Sequence, residues 1–507
     1  MTTATPDSFD LLEATVADVH AAMEAGEVTA EALVDRYLDR IDRYDDELNA
    51  VLTLNSDARE RARDLDRQYE ADGPVGPLHG VPTLVKDNHD TVDMPTTAGS
   101  VALADSRPPR DAAVVERLRD AGAVILGKTN LQELSFGVDT ISSLGGETRN
   151  AYSRSHRPSG SSGGTAVAVA ANLATLGTGS DTCSSVRSPP AFNACVGVRP
   201  TRGLVSRTGI VPLSLTQDTA GPITRTVGDA ARMLEAMAGY DPADPVTARG
   251  ADAVPDGGYV AHLDPDGLAD ARIGVARQFF GPREDPDDGV GTRTADAAAV
   301  TAVVDDAIAT FESAGATVVD PVEVVDLGKL ESARVLTYEW ARDLARYLAE
   351  IGDATPHDSL ADVVETGSIV DPIADRIEES GALDVDPAAV GGDPDYLRRL
   401  RRREEVREET LATMVENDLD ALLYPPSRVP PVEIPAHQPF EELNCELSAH
   451  TGLPSIVVPA GTTDEGLPVG VELLGRAFAE PRLFELASGF ERSADPRSPP
   501  AGLGPLE

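Results

Sequence analysis

Residues 179–190, GSDTCSSVRSPP, put one thiol and two hydroxyls on consecutive positions, Cys183, Ser184 and Ser185, ahead of Arg187. Each could open a carbonyl by nucleophilic attack, and each needs activation. A hydroxyl attacks only when a neighbour takes its proton, and a thiol attacks as its thiolate. A base stands far upstream. Lys86 closes the apolar run in VPTLVKDN, where burial would bring its pKa from about 10.4 towards the ~7–8 suited to proton transfer at neutral pH. The plainer reading pairs Lys86 with Asp87. A third cluster, PSGSSGG at 158–164, offers Ser161 and Ser162 in a glycine-rich loop.

Two short patterns compete for these residues. GAVILGKT, 122–129, has the spacing of a phosphate-binding loop, but that loop needs free backbone N–H groups where this chain has Ala-Val-Ile-Leu, a buried-strand sequence. Lys128 is therefore read as structural. GSSGG, 160–164, has the spacing of a nucleophile elbow centred on Ser162, with His437 or His450 as a base by chain order. An elbow is entered from a strand, whereas NAYSRSHRPS is polar and broken by proline.

The elements that must hold these groups follow from periodicity. In TAEALVDRYLDRIDRYDDEL, Leu33, Val34, Tyr37, Leu38 and Ile41 recur at three and four, with Thr29 placed to cap: a packed surface helix. Residues 1–75 read as helical throughout. From 80 to 240, strand-like GVPTLV and AVILG alternate with helical DAAVVERLRDAG and TAVAVAANLA, which predicts an α/β fold with a sheet buried on both faces. A long helix, TADAAAVTAVVDDAIATFESAG, feeds the strand ATVVD. Residues of about 245–415 read as a variable insertion or cap, helical and charged in their second half. ALLYPP, PSIVVPAG and LPVGVELLG return to strand character, and PRLFELASGFERS is a closing helix. The expectation is one domain over 1–492 and a loose tail over 493–507.

Composition narrows the setting. The formal net charge is −43, and lysine occurs only as Lys86, Lys128 and Lys329. Self-repulsion on that scale fades at ~1 M salt, where the Debye length is ~3 Å, so the chain reads as halophilic. An acidic surface argues against nucleic-acid binding. No apolar run approaches the ~18 residues of a membrane span, and the first residues carry no export leader, so the expected location is cytoplasmic. Cys183, Cys195 and Cys445 are odd in number and widely spaced, which is read as reduced thiols. Eight scattered histidines predict no metal site. No cofactor is expected, and a homodimer stays open.

Taken together, GVPTLVKDNHDTVDMPTTAGS (80–100), AGAVILGKTNLQELSFG (121–137) and the stretch from RPSGSSGG to TRTVGDAA (157–231) resemble the amidase signature family. The likeness resumes at LSAHTGLPSIVVPAG and GLPVGVELLG. It implies a large mixed, twisted β-sheet covered by helices on both faces, and amide hydrolysis through a Ser-cisSer-Lys triad. Carried over residue by residue, the resemblance makes Lys86 the base, Ser161 the bridging serine after a cis peptide bond, and Ser185 the nucleophile. It makes the N–H groups of Thr182, Cys183, Ser184 and Ser185 the oxyanion donors. Read from the residues themselves, Arg187 anchors the turn through carboxylate or carbonyl contacts with Asp181 as its candidate partner, or else forms a plain surface salt bridge, and Ser162 is a supporting residue. The family commonly has glycines where this chain has Ser159, Cys183 and Ser184. Side chains at 183 and 184 are tolerable only if neither backbone position requires glycine. Two other functions share the fold: the glutaminase-type A subunit of a tRNA-dependent amidotransferase, and a silent scaffold. TCSSVR and LTQDTAGP depart from the former.

Overall fold

Strand β2, Pro82–Lys86, is buried along its whole length, so both of its alternating faces are covered and its last side chain enters the interior. It lies in an eleven-stranded mixed sheet in a computed structural model that describes residues 9–283 and 290–506. The first eight residues, part of the stretch read for an export leader, lie outside the described residues. The other strands are β1 Val51–Leu54, β3 Val124–Thr129, β4 Leu176–Asp181, β5 Val196–Arg199, β6 Thr219–Thr224, β7 Arg272–Val275, β8 Thr317–Val319, β9 Ala421–Tyr424, β10 Ser455–Thr462 and β11 Pro468–Leu474. Their order is β1-β3-β2-β4-β6-β5-β10-β11-β9-β7-β8. The sheet is parallel where β3, β2 and β4 meet, towards one edge, and turns antiparallel at β4–β6.

Burial is continuous in β3, β4, β5, β6, β9 and β11 as well, the mark of a sheet with helices on both sides. The helix Ala30–Leu48 packs as its periodicity predicts: Leu33, Val34, Tyr37, Leu38 and Ile41 are buried, and the Thr29 side chain accepts from the Ala32 N–H at 3.1 Å. Between 330 and 416 the helices Leu336–Ile351, Leu360–Glu365, Asp371–Ser380 and Pro394–Glu416 accompany a second apolar cluster around Trp340, Leu344 and Ile373. That cluster includes Leu134 and Leu213, which joins the helical region to the loops above the sheet.

Three expectations change. The N-terminal part is not wholly helical, because β1 forms the sheet edge against β3. The C-terminal residues are held: Arg40 Nη2 donates to the Leu503 carbonyl at 3.0 Å, Tyr152 Oη to the Ser498 carbonyl at 2.6 Å, and Leu503 is buried. The cysteines are not all reduced thiols. Cys183 and Cys445 form a disulfide, and Cys195 alone is free. Spacing misled here because the two lie 262 residues apart and only the fold brings them together. A disulfide counts against the cytoplasmic expectation, since such bonds are rare in that compartment.

Candidate active site

The last residue of β2, the loop that enters the helix Gly163–Ala170 and the turn that leaves β4 bring the predicted residues together. Lys86 ends β2 and is fully buried; its Nζ donates to Ser161 Oγ at 2.6 Å and to Ser180 Oγ at 2.9 Å. Ser161 follows a cis peptide bond from Gly160. A side chain at 160 would strike the Val138 backbone at 2.9 Å, so the loop can approach that segment only as glycine. The Ser161 N–H donates to Ser185 Oγ at 2.9 Å, which fixes the Ser185 hydroxyl above the end of β4. Burial pulls the Lys86 ammonium down to about 7, against a partial opposing pull from Asp181 and Asp218.

Ser185 belongs to the turn that leaves β4. The N–H groups of Thr182, Cys183, Ser184 and Ser185 donate to no described residue, so the turn presents a run of unused donors at a buried position. Cys183 and Ser184 both have negative φ, so their side chains cost the turn no left-handed strain. Ser159 is the exception, at φ 64°; its Oγ donates to Ser188 Oγ at 2.9 Å.

The turn is anchored from below by buried charge. Arg187 donates from Nε to Asp181 Oδ2 at 3.3 Å, from Nη1 to Glu472 Oε1 at 2.8 Å and from Nη2 to the Cys445 carbonyl at 3.0 Å. Arg199 Nη1 reaches Asp181 Oδ1 at 2.5 Å, and Asp181 Oδ2 accepts the Val186 N–H at 2.9 Å. Burial would raise the Asp181 carboxyl, but Arg187 and Arg199 outweigh it and hold it below the usual carboxylate range. The Arg187–Asp181 pairing expected from sequence is therefore an interior network and not a surface bridge.

The competing assignments separate on geometry. Asp87 pairs with Lys128, at 3.2 Å, and not with Lys86. Lys128 sits on β3 and donates to the Pro95 carbonyl, so no phosphate loop exists at 122–129. Ser162 Oγ donates to the Ser180 carbonyl at 3.3 Å, while His437 bonds Asp139 and His450 bonds the Leu330 carbonyl; neither histidine serves Ser162. Cys183, tied into a disulfide, carries no thiolate.

Sequence reasoning missed four contributors. Ser180 accepts from both Lys86 and Asn88, whose Nδ2 lies 2.9 Å from Ser180 Oγ. Gln217 Nε2 donates to the Thr182 carbonyl at 2.9 Å, and the Thr182 hydroxyl donates to Asp218 at 2.7 Å. The signal for Asn88 is its spacing of two from Lys86 at a strand end. Gln217 and Asp218 lie in LTQDTAGP, where only their departure from a family pattern drew notice.

A cavity of about 900 Å³ opens over Ser185. Phe136, Val138 and Leu213 form apolar parts of its lining, and Arg376 and Arg399 bring charge from the helices Asp371–Ser380 and Pro394–Glu416. Among the described residues no cluster of His, Cys, Asp and Glu is arranged to hold a metal, and no helix is long and apolar enough to cross a membrane.

Known proteins agree with this architecture. The chain is 39% identical to the peptide amidase of Stenotrophomonas maltophilia, with a TM-score of 0.85 over 96% of this chain and 98% of that one. It is 35% identical to a probable amidase of Arabidopsis thaliana over 97% of this chain and 92% of that protein. It is also 35% identical to the A subunit of the Glutamyl-tRNA(Gln) amidotransferase from Salinispora tropica, over 97% and 99% respectively. The family model Amidase matches residues 32–484. The chain belongs to the amidase family and is an enzyme of amide hydrolysis.

Proposed function

We propose that Ser185 attacks the amide carbonyl, with Lys86 as the base and Ser161 as the relay between them. The observation that carries this is the convergence on Ser161: Lys86 Nζ donates to its Oγ at 2.6 Å, and its backbone N–H holds Ser185 Oγ at 2.9 Å, which keeps the nucleophile beside the relay residue. Neutral Lys86 takes the Ser161 proton as Ser161 takes that of Ser185. The new C–O bond forms an acyl-enzyme, and the leaving amine or ammonia receives the proton back along the same path. Water then releases the carboxylic acid. The oxyanion falls to the free amides of the 182–185 turn, where one lost donor typically costs ~2.7–4 kcal/mol.

The substrate we infer is the carboxamide of a peptide. The cavity of about 900 Å³ is larger than a simple aliphatic amide needs, and one solved relative is a peptide amidase bound to the competitive inhibitor chymostatin. The setting we infer is a salt-rich cytoplasm, on the net charge of −43, with no nucleic-acid partner; a homodimer fits as well as a monomer. The 35% identity to an amidotransferase component supports a second reading, glutaminase work in a tRNA-dependent complex. Ammonia release from C-terminally amidated peptides in multimolar salt, with a fluorophosphonate adduct mapped to Ser185, tests the first reading. Glutamine-dependent tRNA amidation with a copurifying partner and no turnover of free amides would replace it, and a folded chain that neither turns over nor labels would be a scaffold.

A further inference from the structure

A second cavity, of about 370 Å³, lies beside the helix Pro394–Glu416 and shares only His450 with the lining of the cavity over Ser185. Arg202, Arg249, Arg401, Arg403 and Arg407 line it, with Glu404 the single carboxylate. This reverses the balance of a chain with 86 acidic and 43 basic residues. Two of the arginines have local partners: Arg401 pairs with Glu405, and Arg407 approaches Glu404 at 3.9 Å. Arg202, Arg249 and Arg403 have no ion pair among the described residues.

Arg403 is only 5% exposed, and its guanidinium meets neutral acceptors alone: Gln217 Oε1 at 2.7 Å and the Ala449 carbonyl at 2.9 Å. Arg202 donates from Nη2 to the Leu215 carbonyl at 3.2 Å, and its Nε is buried with no partner. Burial followed by neighbouring guanidiniums pulls Arg202 down to about 10, with Arg207 and Arg249 the repelling groups. Arg403 falls to about 10 by burial, with Arg202 and Arg199 repelling it and Glu339 partly offsetting them. His450, also in the lining, is neutral, pushed well below its ordinary value by burial, Arg403 and Arg334. Buried cations are ordinarily paired, because an uncompensated charge in the interior is costly.

We propose that this cavity is a binding site for a dianionic oxyanion, a phosphoryl or sulfuryl group, held by Arg202, Arg249, Arg403 and Arg407. Guanidinium forks match tetrahedral oxyanions with two parallel bonds. The site is wired to the oxyanion turn: Arg403 bonds Gln217, and Gln217 bonds the Thr182 carbonyl. Occupancy fixes Arg403, and through Gln217 it steadies the turn, so kcat rises while KM for the amide stays.

The test is calorimetric titration of the full chain with inorganic phosphate, sulfate and glycerol 3-phosphate, at constant ionic strength in potassium chloride. One site per chain is expected. Arg249→Gln and Arg407→Gln, both towards solvent, each weaken binding about tenfold, equivalent to ~1.4 kcal/mol, and leave the anion-free kcat unchanged. Tighter binding of the monoester than of either inorganic anion identifies a metabolite as the source; the reverse identifies a free ion. No heat from any of the three, or heats in both variants equal to those of the wild type, overturns the site. Binding with no severalfold rise in kcat overturns the link to the turn.

Discussion

In the proposed role Lys86 acts as a base only in its neutral form, and with its pKa lowered to about 7 that role gives the amidase rate a pH signature. Activity falls as pH drops through about 7 and levels off above it; a kcat/KM profile with no such limb would separate Lys86 from catalysis. The same shift acts on stability. The unfolded chain keeps this lysine protonated up to about 10.4 while the folded chain releases the proton near 7, so this group's contribution to stability rises with pH between those values. Lys86→Met flattens that slope in denaturant titrations against wild type and abolishes turnover. Ser185→Ala lowers kcat about 10⁴-fold or more, on the scale of removing a nucleophile, with the unfolding midpoint little changed. The pairing of Lys86 with Ser161 was legible only through a likeness to known sequences, because no local spacing connects two residues 75 positions apart. Asn88 and Ser180, which complete the lysine's surroundings, left no such trace.

Elements transmit this geometry to the turn. The Cys183–Cys445 bridge ties the turn to the start of the helix Glu446–Thr451, and Arg187 grips the Cys445 carbonyl from beneath. Alkylation of the denatured chain is expected to label one cysteine, Cys195, without reductant and all three after it; three labels in both arms would mean that no bridge forms. Reduction of the folded enzyme by a phosphine lowers kcat more than it raises KM, since the turn and not the outer pocket is loosened, and Cys183→Ser reproduces the effect. Asp181→Asn leaves Arg187 and Arg199 underpaired in the interior and costs about 3–5 kcal/mol in chemical unfolding. Strand β4, LGTGSD, escaped the sequence reading because glycine and serine read as loop. Its glycines are there for space: a side chain at 177 would meet Thr165 at 2.3 Å and one at 179 would meet Val186 at 2.5 Å. Strands β2, β3, β9, β10 and β11 were plain, because short apolar runs holding β-branched or aromatic residues carry their own signal.

At the scale of the whole molecule acidic residues outnumber basic ones two to one, 86 against 43. Lys86 and Lys128 are buried and Lys329 pairs with Glu409, so no lysine is left as a free surface cation. The melting temperature is expected to climb from ~0.1 M to multimolar potassium chloride as the Debye length shrinks from ~10 Å towards ~3 Å; a flat or falling curve would dissociate the acidic surface from salt stability. By itself the sequence determined the α/β class, the covered sheet and the acidic charge balance, because periodicity and composition are summed over many residues; the range 245–415, read as an insertion or cap, also supplies β7 and β8 to the main sheet. Through resemblance the sequence also singled out Lys86, Ser161 and Ser185 from their neighbours. Only the tertiary structure decided that Cys183 is bridged, that Arg187 and Asp181 are interior, that the C-terminal residues are pinned by Arg40 and Tyr152, and that a cluster of arginines surrounds a second cavity. Most of these depend on contacts between distant parts of the chain, and such contacts leave no period, motif or composition in the sequence that makes them.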